Sequence, residues 1–172
     1  MSKHRFLFLT GLGSLGALAL ILASPVRAPR LLFNTTASAP LGFYWVTPGR
    51  FEVGDLVAVS PPPPLARWLA ARHYLPINVP LLKAVVATGG RHVCGRNAAL
   101  FLDGKLIASV SRLDRWRRPL PSFSGCRRLR ADEVLLVNAD APNSLDSRYF
   151  GPLTRDRIVG RATPLWTWEA RP

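Results

Sequence analysis

The pattern of apolar and polar positions divides the chain into two unlike parts. Residues 6–26 run without a charge and are mostly Leu, Ala, Gly and Phe. A run with no polar face is not the amphipathic helix of a globular core, and 21 residues suffice to span a bilayer. Beyond residue 30 the pattern breaks into short apolar runs bounded by turn signals. Strands are predicted over residues 42–47, 56–60, 81–88, 99–102, 106–110, 133–138 and 158–168. Asp103-Gly104, between two of them, is a hairpin turn signal. A helix is predicted over residues 65–74, where Leu65, Trp68 and Leu69 recur at helical spacing. Pro61 to Pro64 lack backbone donors and read as a stiff extended spacer. No internal repeat is visible, and the series predicts one mainly β, antiparallel domain.

The N-terminus decides the compartment. Lys3, His4 and Arg5 precede the apolar run, a layout shared by secretory signals and signal anchors. Cleavage after Ala23 or Ala28 would face Pro25 or Pro29 close behind, so an uncleaved anchor is the favoured reading. Basic residues at the start favour a cytoplasmic N-terminus, although Arg27 and Arg30 stand on the other flank. Residues 1–30 are thus expected to form a cytoplasmic start and transmembrane anchor in the inner membrane. Residues 31–172 are expected to form one extracytoplasmic domain in the periplasm.

Charge changes the picture in one respect. The chain carries 23 Lys and Arg against 10 Asp and Glu. Its dense basic runs are Arg115, Arg117, Arg118 and Arg127, Arg128, Arg130. A solvated arginine-rich surface is the plainer reading of these runs; a nucleic-acid face lacks a recognisable binding fold and conflicts with export. Only three basic residues are lysines: Lys3, Lys83 and Lys105. That matters because a desolvated lysine can lose its proton and an arginine cannot. Cys94 and Cys126 suggest one disulfide if the domain is exported, and unpaired core thiols if it is not.

Candidate chemistry narrows from there. His4, His73 and His92 show no metal-ligand spacing, and no Gly-rich phosphate loop or Gly-x-Ser-x-Gly elbow is present, so neither metal nor cofactor is expected. A serine nucleophile needs a base within reach. His73 and His92 are candidates, and so is a neutral lysine. Lys105 follows a turn and should be solvated, whereas Lys83 lies inside the apolar run 79–87. Burial there would disfavour its charged form; on an edge or solvent face its stem would simply cover apolar surface.

Three short boxes then occur in order. Residues 34–44 contain Ser38-x-Pro40-x-Gly42-x-Tyr44, residues 82–90 contain Leu82-Lys83-Ala84-Val85-Val86-Ala87-x-Gly89-Gly90, and residues 143–151 contain Ser144-x-Asp146-Ser147-Arg148-Tyr149-x-Gly151. Downstream of an apolar segment, the set resembles the type I signal peptidase family, in its conjugative-transfer or TraF-like branch. The resemblance implies a signal-peptidase-like antiparallel β-sheet catalytic domain and a serine endopeptidase with a Ser/Lys dyad. Ser38 would attack the scissile carbonyl, and Lys83 would take its proton and pass it to the leaving amine. The Ser38 amide and the Thr36 hydroxyl would donate to the oxyanion. Ser144 would be a hydrogen-bond partner of Lys83, with Asp146 and Arg148 a supporting ion pair; the alternative for these three is a polar turn outside the chemistry. A Cys94–Cys126 bridge resembles a feature of the branch. Gly89-Gly90-Arg91 departs from the Pro-Gly-Asp of many relatives.

The implied substrate is an exported precursor protein such as a conjugative pilin, cut after small residues. Membrane lipid is the second expected partner, and nucleic acid is not expected. Phe43, Trp45, Trp166 and Trp168 could settle among headgroups, with burial in the core the plainer reading. The alternative function is a non-enzymatic assembly protein of a conjugation or secretion apparatus.

Overall fold

The computed structural model describes residues 31–169. The expected anchor at 6–26 lies outside them; among the described residues no helix is long and apolar enough to cross a membrane. Among the described residues eleven strands form two sheets in which every pairing is antiparallel. They are β1 (Leu31–Asn34), β2 (Leu41–Thr47), β3 (Leu56–Val59), β4 (Leu81–Thr88), β5 (His92–Arg96), β6 (Ala99–Leu102), β7 (Lys105–Ser109), β8 (Gly125–Arg128), β9 (Glu133–Leu136), β10 (Leu153–Thr154) and β11 (Ile158–Trp168). The large sheet has the order β1-β2-β11-β3-β4-β9-β10, and the small one β7-β6-β5-β8. Helix α1 (Pro63–Ala71) and the single turn α2 (Ser147–Phe150) complete the frame.

Apolar burial explains why the sheets join. Ala87 and Leu135 from the large sheet, with Val137 just past β9, pack with Val93, Leu100, Leu102 and Ala108 from the small one and with Leu129 just past β8. Tyr44, Val46, Ala58, Leu82 and Ala162 fill one part of the large sheet, and Val57, Val59, Val85, Val134 and Leu136 another. Strand β4 is central and lies between β3 and β9, which removes its residues from water on both edges. The Asp103-Gly104 hairpin forms as read, with φ of 47° and 81°; positive values at both central residues are those of a type I′ turn.

Two expectations are corrected. The spacer is shorter than its prolines suggested: Pro61 and the extended Pro62 precede the helix, and Pro63 and Pro64 begin α1. A helix's first turn needs no donor from those residues, so proline fits there. The helix also ends earlier than residue 74. Arg72 closes it, and His73 takes φ 59°, which turns Tyr74 out of the helical path. Strands β1, β5, β8 and β10 were not legible. Each is short, and β8, exposed along its whole length, carries no apolar face from which to read it.

The arginine runs are not uniformly free surface. Arg127 pairs with the buried Glu133 at 2.6 Å, and Arg118 with Asp114 at 2.7 Å. Trp45, Trp166 and Trp168 are exposed, against the core reading, and only Phe43 is half-buried.

Candidate functional site

The loop between β1 and β2 carries Ser38. Asn34, buried at the end of β1, holds this loop from within. Its Oδ1 accepts from the Thr36 amide at 3.1 Å and the Thr36 hydroxyl at 2.9 Å. Its Nδ2 donates to the carbonyls of Thr36, Ala39 and Pro40 at 2.9, 3.1 and 3.0 Å. The Tyr44 hydroxyl donates to Pro40 O at 2.7 Å. Gly42 follows with φ 129°, and a Cβ there would lie 2.2 Å from Trp166 O. Both constraints demand glycine, which accounts for the Pro40-x-Gly42-x-Tyr44 spacing.

Strand β4 supplies Lys83, which is 3% exposed. Val57 is its cross-strand partner on β3, and Val59, Leu65, Leu81, Leu136 and Phe150 line a small void beside it. Its Nζ donates to Ser144 Oγ at 2.8 Å and stands 3.4 Å from Ser38 Oγ. Burial pulls the ammonium down to about 8 from 10.5; the nearby Asp146 carboxylate opposes the shift and the Arg148 guanidinium adds to it. At pH 7 about a tenth of such a group is neutral, against well under a thousandth for a solvated lysine.

The third box lies behind the lysine. Asp146 caps α2 by accepting from the Arg148 amide at 3.1 Å, and its carboxylate holds the Arg148 guanidinium at 2.8 and 2.9 Å. Both side chains are at most 1% exposed. Arg148 also donates to the carbonyls of Ser109, Asn138, Ala141 and Pro142, so one guanidinium fastens β7, the end of β9 and the Ser144 turn. The turn is therefore ordered around a buried ion pair.

The sites expected from the sequence thus converge: Ser38, Lys83 and Ser144 line one cleft of about 710 Å³, with Thr36 on its rim. Its walls include Leu69, Leu81, Leu113, Trp116 and Leu120. Thr36 Oγ1 is 3.3 Å from Ser38 Oγ; its own proton is directed to Asn34, so donation to an oxyanion requires the hydroxyl to rotate. Of the histidines weighed as bases, His92 stands on β5 in the small sheet and His73 lines the cleft. Among the described residues Ser38 Oγ touches Thr36 and Lys83 and no histidine. Lys105 is exposed, as expected from its turn. Cys94 and Cys126 are bridged across β5 and β8, their Cα atoms 4.0 Å apart.

Sequence reasoning missed Asn34 and Asn138. The first lies within the Ser38 box and the second was read only as the end of a strand. Asn138 is buried and its side chain bonds to Ser38, Leu82 and Ala84. The one available signal was a polar residue closing the apolar run Val134–Val137.

An amine whose burial makes its proton easier to lose, facing a serine hydroxyl, can in its neutral form accept that hydroxyl's proton. Comparisons with known proteins bear on the family of the chain. A family model described as signal peptidase, peptidase S26, matches residues 5–168. A plasmid transfer protein TraF from Escherichia coli is 32% identical, over 89% of this chain and 92% of that protein. A conjugal transfer protein TraF from Agrobacterium fabrum is 33% identical, over 98% of this chain and 99% of its own. A signal peptidase I from Enterococcus faecalis superposes with a TM-score of 0.40 at 16% identity, covering 67% of this chain and 98% of that one, a likeness too remote to carry weight.

Proposed function

The chain belongs to the signal peptidase family, peptidase S26, and from that premise we propose that it is a membrane-anchored serine endopeptidase with a Ser38/Lys83 dyad. The observation that carries the reading is the buried Lys83 amine, 3.4 Å from Ser38 Oγ and walled by apolar side chains. Neutral Lys83 takes the Ser38 proton as Oγ attacks the scissile carbonyl. The Ser38 amide, with Thr36 Oγ1 after rotation, receives the developing oxyanion. The ammonium then protonates the leaving amine, and water resolves the acyl-enzyme with Lys83 again as base. Ser144 aims the amine, and the Asp146–Arg148 pair holds the turn that carries Ser144.

The relatives named for plasmid and conjugal transfer favour an exported precursor of a conjugation apparatus, such as a pilin, as substrate. Residues 1–30 act in this proposal as the anchor in the inner membrane, with the domain from residue 31 in the periplasm. Exposed Leu31, Phe33, Trp45, Trp166 and Trp168 flank the strands that hold the Ser38 loop. Aromatic side chains favour the headgroup layer, so this flank would set the cleft at the height of a membrane-borne cleavage site.

The test is cleavage of a purified precursor by the full-length chain in detergent or vesicles, followed by mass spectrometry of the products. Cleavage should vanish in Ser38→Ala and in Lys83→Ala. Persistence in either variant would rule out the dyad, and a wild-type chain that cleaves no precursor would favour the assembly-protein alternative.

A further inference from the structure

We infer that Asn138 is a positioning residue for the proposed peptidase reaction, locking the serine loop to the lysine strand through its side-chain amide. The inference rests on the Ser38/Lys83 reading and adds a group outside the three sequence boxes.

The two halves of the site come from different elements. Ser38 lies on the β1–β2 loop and Lys83 on β4, and β3 and β11 separate β2 from β4 in the sheet. No ladder bond therefore fixes the loop against the strand. Asn138, just past β9, supplies that link. Its Nδ2 donates to the Ser38 carbonyl and, at 3.2 Å, to Leu82 O. Its Oδ1 accepts from the Ala84 amide at 2.8 Å. Leu82 and Ala84 flank Lys83, so both peptide groups around the lysine close on one side chain. An asparagine amide has two N–H donors, and both are committed here.

The main chain of Asn138 is itself held. Its amide donates to Asp146 Oδ2 at 3.1 Å, and its carbonyl accepts from Arg148 Nη2 at 2.8 Å. The buried ion pair, Asn138, the Lys83 strand and the Ser38 peptide thus form one continuous set of hydrogen bonds. The bond to Ser38 O orients the Ser38–Ala39 peptide, and with it the direction of Oγ and of the Ser38 amide. Leucine at this position would match the volume and take the partner from three backbone groups, the Leu82 carbonyl among them buried.

A displacement of about 1 Å between reacting groups costs on the order of 10²-fold in rate. Asn138→Ala in the full-length chain is accordingly expected to lower kcat on a precursor peptide by roughly 10²-fold with KM within about twofold, measured where circular dichroism shows the variant folded. A merely structural role would lower the melting temperature and leave kcat of the folded fraction unchanged, and that result overturns the inference. If Asn138→Ala does not fold, Asn138→Asp serves. It keeps the acceptor for Ala84 but loses the donors to Ser38 and Leu82, and it adds a negative charge near the lysine. It should show the same kcat loss, and the rising limb of its pH profile should move to higher pH because a nearby anion favours the ammonium. A wild-type kcat and an unmoved limb in Asn138→Asp refute the positioning role. Failure of the underlying reading looks different: the wild-type chain itself would then show no cleavage that depends on Ser38 and Lys83.

Discussion

Lys83 Nζ is closer to Ser144 Oγ, at 2.8 Å, than to Ser38 Oγ, at 3.4 Å. The difference has a physical meaning. A hydroxyl that accepts from the ammonium fixes the amine without competing for the proton that Ser38 must give up. In a resting site the longer contact is expected to shorten once substrate excludes water. Ser144→Ala should therefore leave the fold intact and lower kcat, because a free amine rotates away from Ser38.

The pH dependence of cleavage follows from burial. Lys83 must be neutral to act as base, and its ammonium titrates at about 8. Activity on a pH-stable substrate should rise with a limb near that value and level off above it. Lys83→Arg, fully charged across this range, should be inactive throughout. A profile flat from pH 6 to pH 9 would contradict the assignment of Lys83 as the base.

Burying this lysine also costs stability. Its folded-state value near 8 lies below the ordinary 10.5, so the unfolded chain binds the proton more tightly. The penalty is full below pH 8 and is relieved as pH rises from 8 toward 10.5, a difference worth about 3 kcal/mol by linkage. Lys83→Met should therefore be more stable than the wild type at pH 6–7 by roughly 1–3 kcal/mol, less where Ser144 loses its partner. Denaturant unfolding at pH 6.5 and pH 10 reads the effect, and the advantage should shrink at the higher pH.

What could be read before the fold was known follows a clear division. The frame of β2, β3, β4, β6 and β11 was legible because each presents apolar or β-branched residues in register with a pleat. Strand β8 was not, because it holds its place by pairing with β5 and by the Cys94–Cys126 bridge. Ser38, Lys83, Ser144, Asp146 and Arg148 could be picked out because they recur in ordered boxes. Lys83 could be singled out further because its neighbours are apolar. Asn34 and Asn138 escaped because an asparagine that satisfies backbone groups within a loop looks the same in sequence as one in an exposed turn. Their role depends on which carbonyls the fold brings near. The exposed Trp166 and Trp168 were misjudged for a related reason: an aromatic β strand does not reveal which face is left uncovered.

The Asp146–Arg148 pair is fully buried, so breaking either side leaves a buried charge uncompensated. Asp146→Ala leaves a guanidinium without its carboxylate and is expected to cost about 3–5 kcal/mol. Arg148→Ala strands the carboxylate and the carbonyls of residues 138, 141 and 142 at similar cost. The double variant should lose clearly less than the sum. Urea unfolding of the three proteins forms the cycle, and strict additivity would show that the two do not interact.

The Cys94–Cys126 bridge closes a segment with a sequence separation of 32. That segment contains the cleft wall at Leu113, Trp116 and Leu120, and it returns through Phe123, whose amide bonds to Arg148 O at 3.0 Å. Replacing both cysteines by serine should cost about 3–4 kcal/mol in the chain-entropy account. Titration of the unfolded, non-reduced wild type should find no free thiol.

The exposed aromatic flank gives a prediction that separates lipid from substrate. Trp166 is 71% exposed and packs edge-on against Trp168, which in turn lies 6.3 Å from Phe33. These rings gain nothing from the protein core, and their removal should leave the cleft unchanged. If they sit among headgroups, replacing Trp166 and Trp168 by serine weakens only the approach to a membrane-borne site. Cleavage of a vesicle-embedded precursor should then fall roughly tenfold, equivalent to about 1.4 kcal/mol, while cleavage of a soluble peptide in detergent stays the same. Equal losses on both substrates would assign these residues to the cleft and not to the bilayer. Thermal unfolding of the variant guards against a trivial cause, because surface substitutions of this kind usually shift stability by no more than about 0.5 kcal/mol.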